Sequence, residues 1–199
     1  LDAQLTAIAN AAAATGAQAW VMAPMVATAE EAKWFTAKCR AAGLPTAGTM
    51  VEVPAAALRS KHVMAECDFA SIGTNDLSQY TFAADRMNGA LAGLLTGWQP
   101  ALWELIVATV EGAGGKPVGI CGEVGGDPLL ALVATGAGIT SLSMATGKVG
   151  VVKAALAKHD LATCKAMLAA VLDAVSPQEA KAAVMALVDP EVAEILGAA

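Results

Sequence analysis

The feature that most constrains this chain is a rhythm. Short apolar runs recur at residues 20–25, 46–51, 69–74, 117–121 and 139–144, and a segment with helical spacing follows each. Parallel strands buried on both faces read as short apolar runs, and each return to the next parallel strand needs a crossover, usually a helix. The alternation therefore predicts βαβ units and a parallel sheet, an α/β fold. Helix punctuation agrees. Thr28 with Glu31 forms a capping box, and Gly43 closes the helix that follows. Asp127-Pro128, Ser176-Pro177 with Glu179, and Asp189-Pro190 each place a cap before a proline at the first helical position. The chain opens on a helix, residues 3–15, with no strand before it. Five strands cannot close an eight-stranded barrel. The sheet is therefore open, or the chain starts partway through a barrel.

Composition removes several alternatives. The chain has 199 residues, 56% of them hydrophobic and 15% charged. Such apolarity invites comparison with a membrane protein, but alanine is the commonest residue. The uncharged stretches 3–29 and 128–147 are broken by Gln4, Asn10, Gly16, Gln18 and Pro24, and by Gly136 and Gly138. A span needs about 20 predominantly apolar residues. No basic segment precedes an apolar one, so no signal peptide is read, and the first residue is Leu, so a longer N-terminus is expected. A net charge of -6 without any Lys/Arg cluster disfavours nucleic acid and anionic lipid as partners. Cys39, Cys67, Cys121 and Cys164 are widely spaced, which argues against disulfides and zinc and for a reducing cytoplasm.

Three polar groups fall at the same end of three predicted strands: Glu52, Asn75-Asp76 and Cys121. Ligands bind at the carboxyl ends of parallel strands, where loops vary over a rigid base. Glu52 and Asp76 offer hard oxygen donors suited to Mg²⁺; the alternative is two carboxylates that cap the next helices. Gly73-Thr74-Asn75-Asp76 enters a helix, whose first amides attract anions. Arg86, with Arg40 and Arg59 the arginines of the chain, can grip a phosphate or carboxylate, or pair with Asp85. Glycines flank Cys121 and leave its thiol accessible; a buried, inert thiol is the other reading, and it is the one taken for Cys39, Cys67 and Cys164. His62 and His159 are read as solvated helix-surface residues, and no Ser-His-Asp set can be assembled.

Residues 48–56 (GTMVEVPAA), 69–80 (FASIGTNDLSQY) and 119–123 (GICGE) resemble the C-terminal barrel of the phosphoenolpyruvate-utilising enzymes. Gly126-Asp127-Pro128 and Leu142-Ser143-Met144 resemble the enzyme I branch of sugar phosphotransferase systems in particular, with the pyruvate phosphate dikinase branch nearest to it. The resemblance covers roughly residues 1–173. It implies a partial (β/α)8 TIM barrel, the third helix and strands four to eight, with extra C-terminal helices and residues 1–199 as one domain. It implies that Glu52 and Asp76 hold Mg²⁺, that Asn75, Asp76 and Arg86 contact phosphoenolpyruvate, and that Cys121 is the acid–base thiol. Phosphoryl would pass from phosphoenolpyruvate to an enzyme histidine and on to the phosphocarrier protein HPr, in a cytoplasmic homodimer. Alternatives are a dikinase or synthase relative, which differs in its nucleotide-binding domain, and a non-catalytic partial barrel for dimerisation or regulation. The sequence departs from the resemblance in three ways. Two further substrate arginines belong on the first two strands of the barrel, and the phosphorylated histidine on an N-terminal domain. Neither is in this sequence, so the chain alone is expected to be inactive. The turn at Met144-Ala145-Thr146-Gly147 also differs from the Met-Ser and Met-Ala-Pro turns of the family.

Overall fold

The computed structural model describes residues 1–196. The chain opens on α1 (Asp2–Thr15), which stops at Gly16 in the left-handed conformation (φ 71°), where a missing Cβ removes the steric penalty. Then come β1 (Trp20–Ala23), α2 (Ala29–Ala41), β2 (Thr46–Val51), α3 (Pro54–Leu58), α4 (Ser60–Glu66), β3 (Ala70–Gly73) and α5 (Thr74–Thr81). A long connection through a 3-10 turn, Gly89–Leu94, leads to α6 (Pro100–Gly112), β4 (Val118–Cys121), α7 (Pro128–Gly136) and β5 (Ser141–Leu142). The described part ends in α8 (Val149–Ala157), α9 (Leu161–Asp173), α10 (Pro177–Met185) and α11 (Pro190–Ile195). The capping box is present: Glu31 donates its amide to Thr28 Oγ1 at 3.2 Å, and the Thr28 amide donates to Glu31 Oε2 at 3.0 Å. Asp127, Ser176 and Asp189 each cap the helix that their proline begins.

The strands form one parallel sheet in the order β1-β2-β3-β4-β5. Sequential order with right-handed crossovers puts the connecting helices on one face. Register sets the core. Val51, Ile72, Ile120 and Leu142 lie side by side across four strands, as do Thr49, Ala70 and Val118 across three. Val51, Ile72 and Ile120 are wholly buried and pack in one cluster with Leu102, Trp103 and Ile106 of α6. Side chains alternate across a strand, so Met50, Ser71, Gly119 and Ser141 share the opposite face. Beyond Met50 that face carries small residues: Met50 and Ser71 are half-buried and Ser141 is exposed. It is the face an inward-curving sheet would turn toward the axis of a barrel.

Two expectations are corrected. The last strand pairs over Ser141–Leu142 alone, although Thr140 and Ser143 donate their amides to Val118 and Ile120 at 2.8 and 2.9 Å. The chain then leaves the sheet for a 3-10 turn, Thr146–Lys148, that leads into α8. His159 is not a solvated residue. It is half-buried, with Nδ1 2.8 Å from the Ala155 carbonyl and Nε2 accepting the Asp189 amide at 2.9 Å. The ring therefore ties the end of α8 to the start of α11, with the proton on Nδ1. The inert reading of three cysteines fits: burial pushes the Cys67 thiol up to about 11 and raises those of Cys39 and Cys164.

The C-terminal helices are fixed to the sheet layer through α7 and α9. A Cβ at Gly136 would collide with the carbonyl oxygen of Cys164 in α9. Gly136→Ala should cost about 1–3 kcal/mol through overpacking and lower the melting temperature by several degrees. An unchanged melting temperature would show that the two helices do not approach this closely.

Candidate active site

The rim at the carboxyl ends of β2, β3 and β4 is built by register. Gly73 lies beside Cys121 in the ladder, and Glu52 follows Val51, the partner of Ile72. Glu52, Gly73 and Cys121 thus form one row on the open face. Gly73 is the gap in that row: a Cβ there would collide with Glu52 Oε2. Glu52 is only 3% exposed, and its Oε1 accepts the Met25 amide at 2.7 Å. Met25 has φ 57°, a left-handed conformation that costs a residue with a Cβ roughly 1–2 kcal/mol. Outliers of this kind concentrate at functional sites and persist where neighbours enforce them; here the enforcing contact is a charge-assisted hydrogen bond.

The start of α5 supplies the next layer. No side chain caps the helix at Gly73, so its first amides stay available at the rim. Thr74 turns inward and donates its hydroxyl to the Cys121 carbonyl at 3.2 Å. Gly122 lets the end of β4 approach α5 this closely. Its φ is 101°, and a Cβ there would lie 2.6 Å from Thr74 Oγ1 and 3.3 Å from Asn75 Oδ1. Cys121 is half-buried, and its thiol donates to the Ile72 carbonyl at 3.4 Å. Only the protonated thiol can make that bond.

Arg86 comes back toward Asp76 by way of the connection after α5. Ala83 takes φ 49°, and the Ala84 amide donates to the Gln79 carbonyl. The Arg86 amide donates to Gln79 Oε1 at 3.1 Å. The guanidinium then lies 3.6 Å from Asp76 Oδ2, so its partner is Asp76 and not Asp85. Both side chains are partly exposed, 50% and 30%, and the pair is loose enough to open. The far end of the connection is anchored: Trp103 is fully buried and donates its indole N–H to the Gly97 carbonyl at 2.8 Å.

Beside this row opens a cleft of about 650 Å³, lined by Thr74, Asn75 and Gly122 on one wall and by Trp98, Asp127 and Lys148 among others on the rest. Of the residues singled out from sequence, Asn75 lines it, whereas Glu52, Asp76 and Cys121 stay at the strand ends outside the lining and Arg86 rests on Asp76. Among the described residues no three His, Cys, Asp or Glu side chains gather into a metal cage. Glu52 and Asp76 are hard oxygen donors, the ligand type that suits an ion such as Mg²⁺, which keeps waters and completes its shell from a substrate. The donor set therefore fits Mg²⁺ and does not fit zinc.

The model of the PEP-utilising enzyme, PEP-binding domain, matches residues 1–161. The chain belongs to the PEP-utilising enzymes. It is 50% identical over 194 residues, 96% of its length, to a phosphoenolpyruvate-protein phosphotransferase of Streptomyces coelicolor, of which it covers 35%. It is 42% identical to a protein of the same name from Haloferax volcanii, covering 87% of this chain and 33% of that one. A multiphosphoryl transfer protein of Xanthomonas campestris is 35% identical over 92% of this chain and 23% of its own length. The chain thus spans about a third or less of the relatives it matches. No helix among the described residues is long and apolar enough to cross a membrane.

For a PEP-utilising enzyme, sequence reasoning missed several residues that shape this rim. Met25 is only the last residue of an apolar run, Gln79 stands unremarked inside the 69–80 segment, and nothing in the sequence singles out Lys148. Gly73 and Gly122 carried a signal, since both sit where a strand end meets a candidate ligand, but the side chains they admit are visible only in three dimensions. Gly73→Ala should displace the Glu52 carboxylate. In the full-length enzyme we expect the Mg²⁺ concentration for half-maximal activity to rise about tenfold or more, the scale of a perturbed ligand orientation. An unchanged Mg²⁺ requirement would mean that Glu52 keeps its place or holds no metal.

Proposed function

We propose that this chain is the phosphoenolpyruvate-binding part of a phosphoenolpyruvate-protein phosphotransferase. The observation that carries the reading is the convergence of Glu52, Asn75-Asp76 and Cys121 on one rim of a parallel sheet in a chain of this family. In this reading the sheet is five strands of a (β/α)8 barrel. Its remaining strands come from a segment outside this chain, pair with the edges of β1 and β5 and enclose the open face, where the exposed Trp20 and Met22 of β1 support that reading. The acceptor histidine and the contacts to HPr belong to a further domain, in a cytoplasmic enzyme.

Each residue then has a task. Glu52 and Asp76 hold Mg²⁺, which supplies charge neutralisation to the substrate oxygens when bound. The amides at the start of α5 and the Asn75 side chain orient the phosphate. Arg86 exchanges its loose contact with Asp76 for a bidentate grip on the substrate. Phosphoryl transfer breaks the bond between phosphorus and the enol oxygen and forms one to the histidine nitrogen. The electron pair left on the enol oxygen makes an enolate, whose methylene carbon takes the proton of Cys121. The products are pyruvate and a thiolate, and solvent returns the proton. The hydrogen bond to the Ile72 carbonyl holds the thiol in place until that step.

Cys121→Ala tests the assignment. In the full-length enzyme we expect pyruvate formation to fall by about two orders of magnitude or more, the scale of general acid catalysis. Circular dichroism should be unchanged. Parental turnover in the variant would remove Cys121 from the reaction.

A further inference from the structure

We propose that Lys148 is a further substrate-binding residue, its ammonium holding an anionic oxygen of phosphoenolpyruvate from the β5 side of the cleft; the inference rests on the reading that this rim binds that substrate. Lys148 ends the turn in which the sequence departs from the family pattern, and it occupies the N-cap of α8. Ser, Thr, Asp and Asn are favoured there because their oxygens accept the orphan amides of the first turn. Lysine has no acceptor, and its charge faces the positive end of the helix dipole. No side-chain hydrogen bond caps α8. The residue therefore does not serve the helix it begins.

Nor does it serve an ion pair. Among the described residues the pairs are Lys38–Asp2, Arg40–Asp68, Arg86–Asp76 and Lys158–Glu191, and Lys148 is in none. Its stem lies over Gly126: a Cβ built on that glycine would be 3.5 Å from Lys148 Cγ, ordinary contact. The residue is exposed and lines the same cleft as Thr74, Asn75 and Gly122. It is the only cation of that lining. Neither acid that shares the cleft forms an ion pair with it. Asp127 Oδ1 is engaged by the Leu129 and Leu130 amides at 2.9 and 3.1 Å, and Glu123 is exposed and outside ion-pair distance. Phosphoenolpyruvate carries two anionic groups, a phosphate and a carboxylate. Arg86 approaches from the α5 side. A flexible ammonium in the cleft beside the rim can meet the anionic group that Arg86 does not hold, as a point charge that needs no fixed fork geometry.

The test is steady-state kinetics of the full-length phosphotransferase containing this chain, with Lys148→Met, Lys148→Arg and, separately, Arg86→Ala. We expect Lys148→Met to raise KM for phosphoenolpyruvate about tenfold, the scale of one lost charge-assisted contact, with the loss carried by KM rather than kcat. Lys148→Arg should recover most of it, and the difference between Met and Lys should shrink as salt is raised. A Lys148→Met KM within twofold of the parent, or a loss confined to kcat, overturns the proposal. Arg86→Ala separates this from the reading beneath it. If it weakens phosphoenolpyruvate binding while Lys148→Met does not, Lys148 alone is misassigned. If neither changes KM, the rim itself is misread.

Discussion

A single buried carboxylate organises the rim. Glu52 is almost wholly withdrawn from water, and taking such a charge out of solvent costs several kcal/mol unless partners compensate. The Met25 amide supplies one hydrogen bond, worth about 1.5–3 kcal/mol when the acceptor is charged. To supply it, the chain after β1 must hold Met25 in a left-handed conformation. To admit the carboxylate at all, β3 must end in a residue without a Cβ, Gly73. Two neighbouring strands thus give up local comfort to keep one oxygen pair in place. A carboxylate needed only to cap the following helix would not require either concession, since α3 begins without any side-chain cap.

The remaining features follow from that geometry. With β3 ended at Gly73, against which the Glu52 carboxylate packs, α5 starts immediately and without a side-chain cap. Gly122 brings the end of β4 against Thr74, so that Cys121 joins the row. The helices behind the sheet, anchored by wholly buried Leu102, Trp103 and Ile106, form the rigid base. The connection that carries Arg86 is tied at Gln79 and at Gly97, and between these ties it is exposed, with Met87 86% accessible. Rigid support beneath and a loosely paired arginine above is an arrangement that can admit a small anionic ligand and then grip it.

Much of the fold was legible because helix caps and strand patterns are local. The Thr28–Glu31 box, Gly43 and the three cap-proline pairs mark helix boundaries by short-range hydrogen bonding. The apolar run 46–51 coincides with β2, whereas the run 139–144 is longer than β5. Apolarity in 139–144 reflects packing against the helices, and only Ser141–Leu142 pairs in the ladder. Of the site, the residue types at strand ends were legible: Glu52, Asn75, Asp76 and Cys121. What joins them was not. The Met25 contact spans 27 positions, the His159 bridge to Asp189 spans 30, and Thr74 reaches Cys121 across 47. Such pairings depend on strand register and on which glycine opens which gap. Arg86 illustrates the limit: its neighbour in sequence is Asp85, but Gln79 turns the backbone so that the guanidinium faces Asp76.

In the proposed function Glu52 and Asp76 share one divalent cation. The most direct measurement is anomalous scattering from Mn²⁺ in crystals of the full-length enzyme grown with phosphoenolpyruvate, Mn²⁺ having the same preference for oxygen ligands. The expected result is one strong peak at coordination distance from carboxylate oxygens of both Glu52 and Asp76, with the Arg86 guanidinium withdrawn from Asp76 onto the substrate. An ordered substrate at the rim with no peak between the two carboxylates, and Arg86 still resting on Asp76, would contradict it.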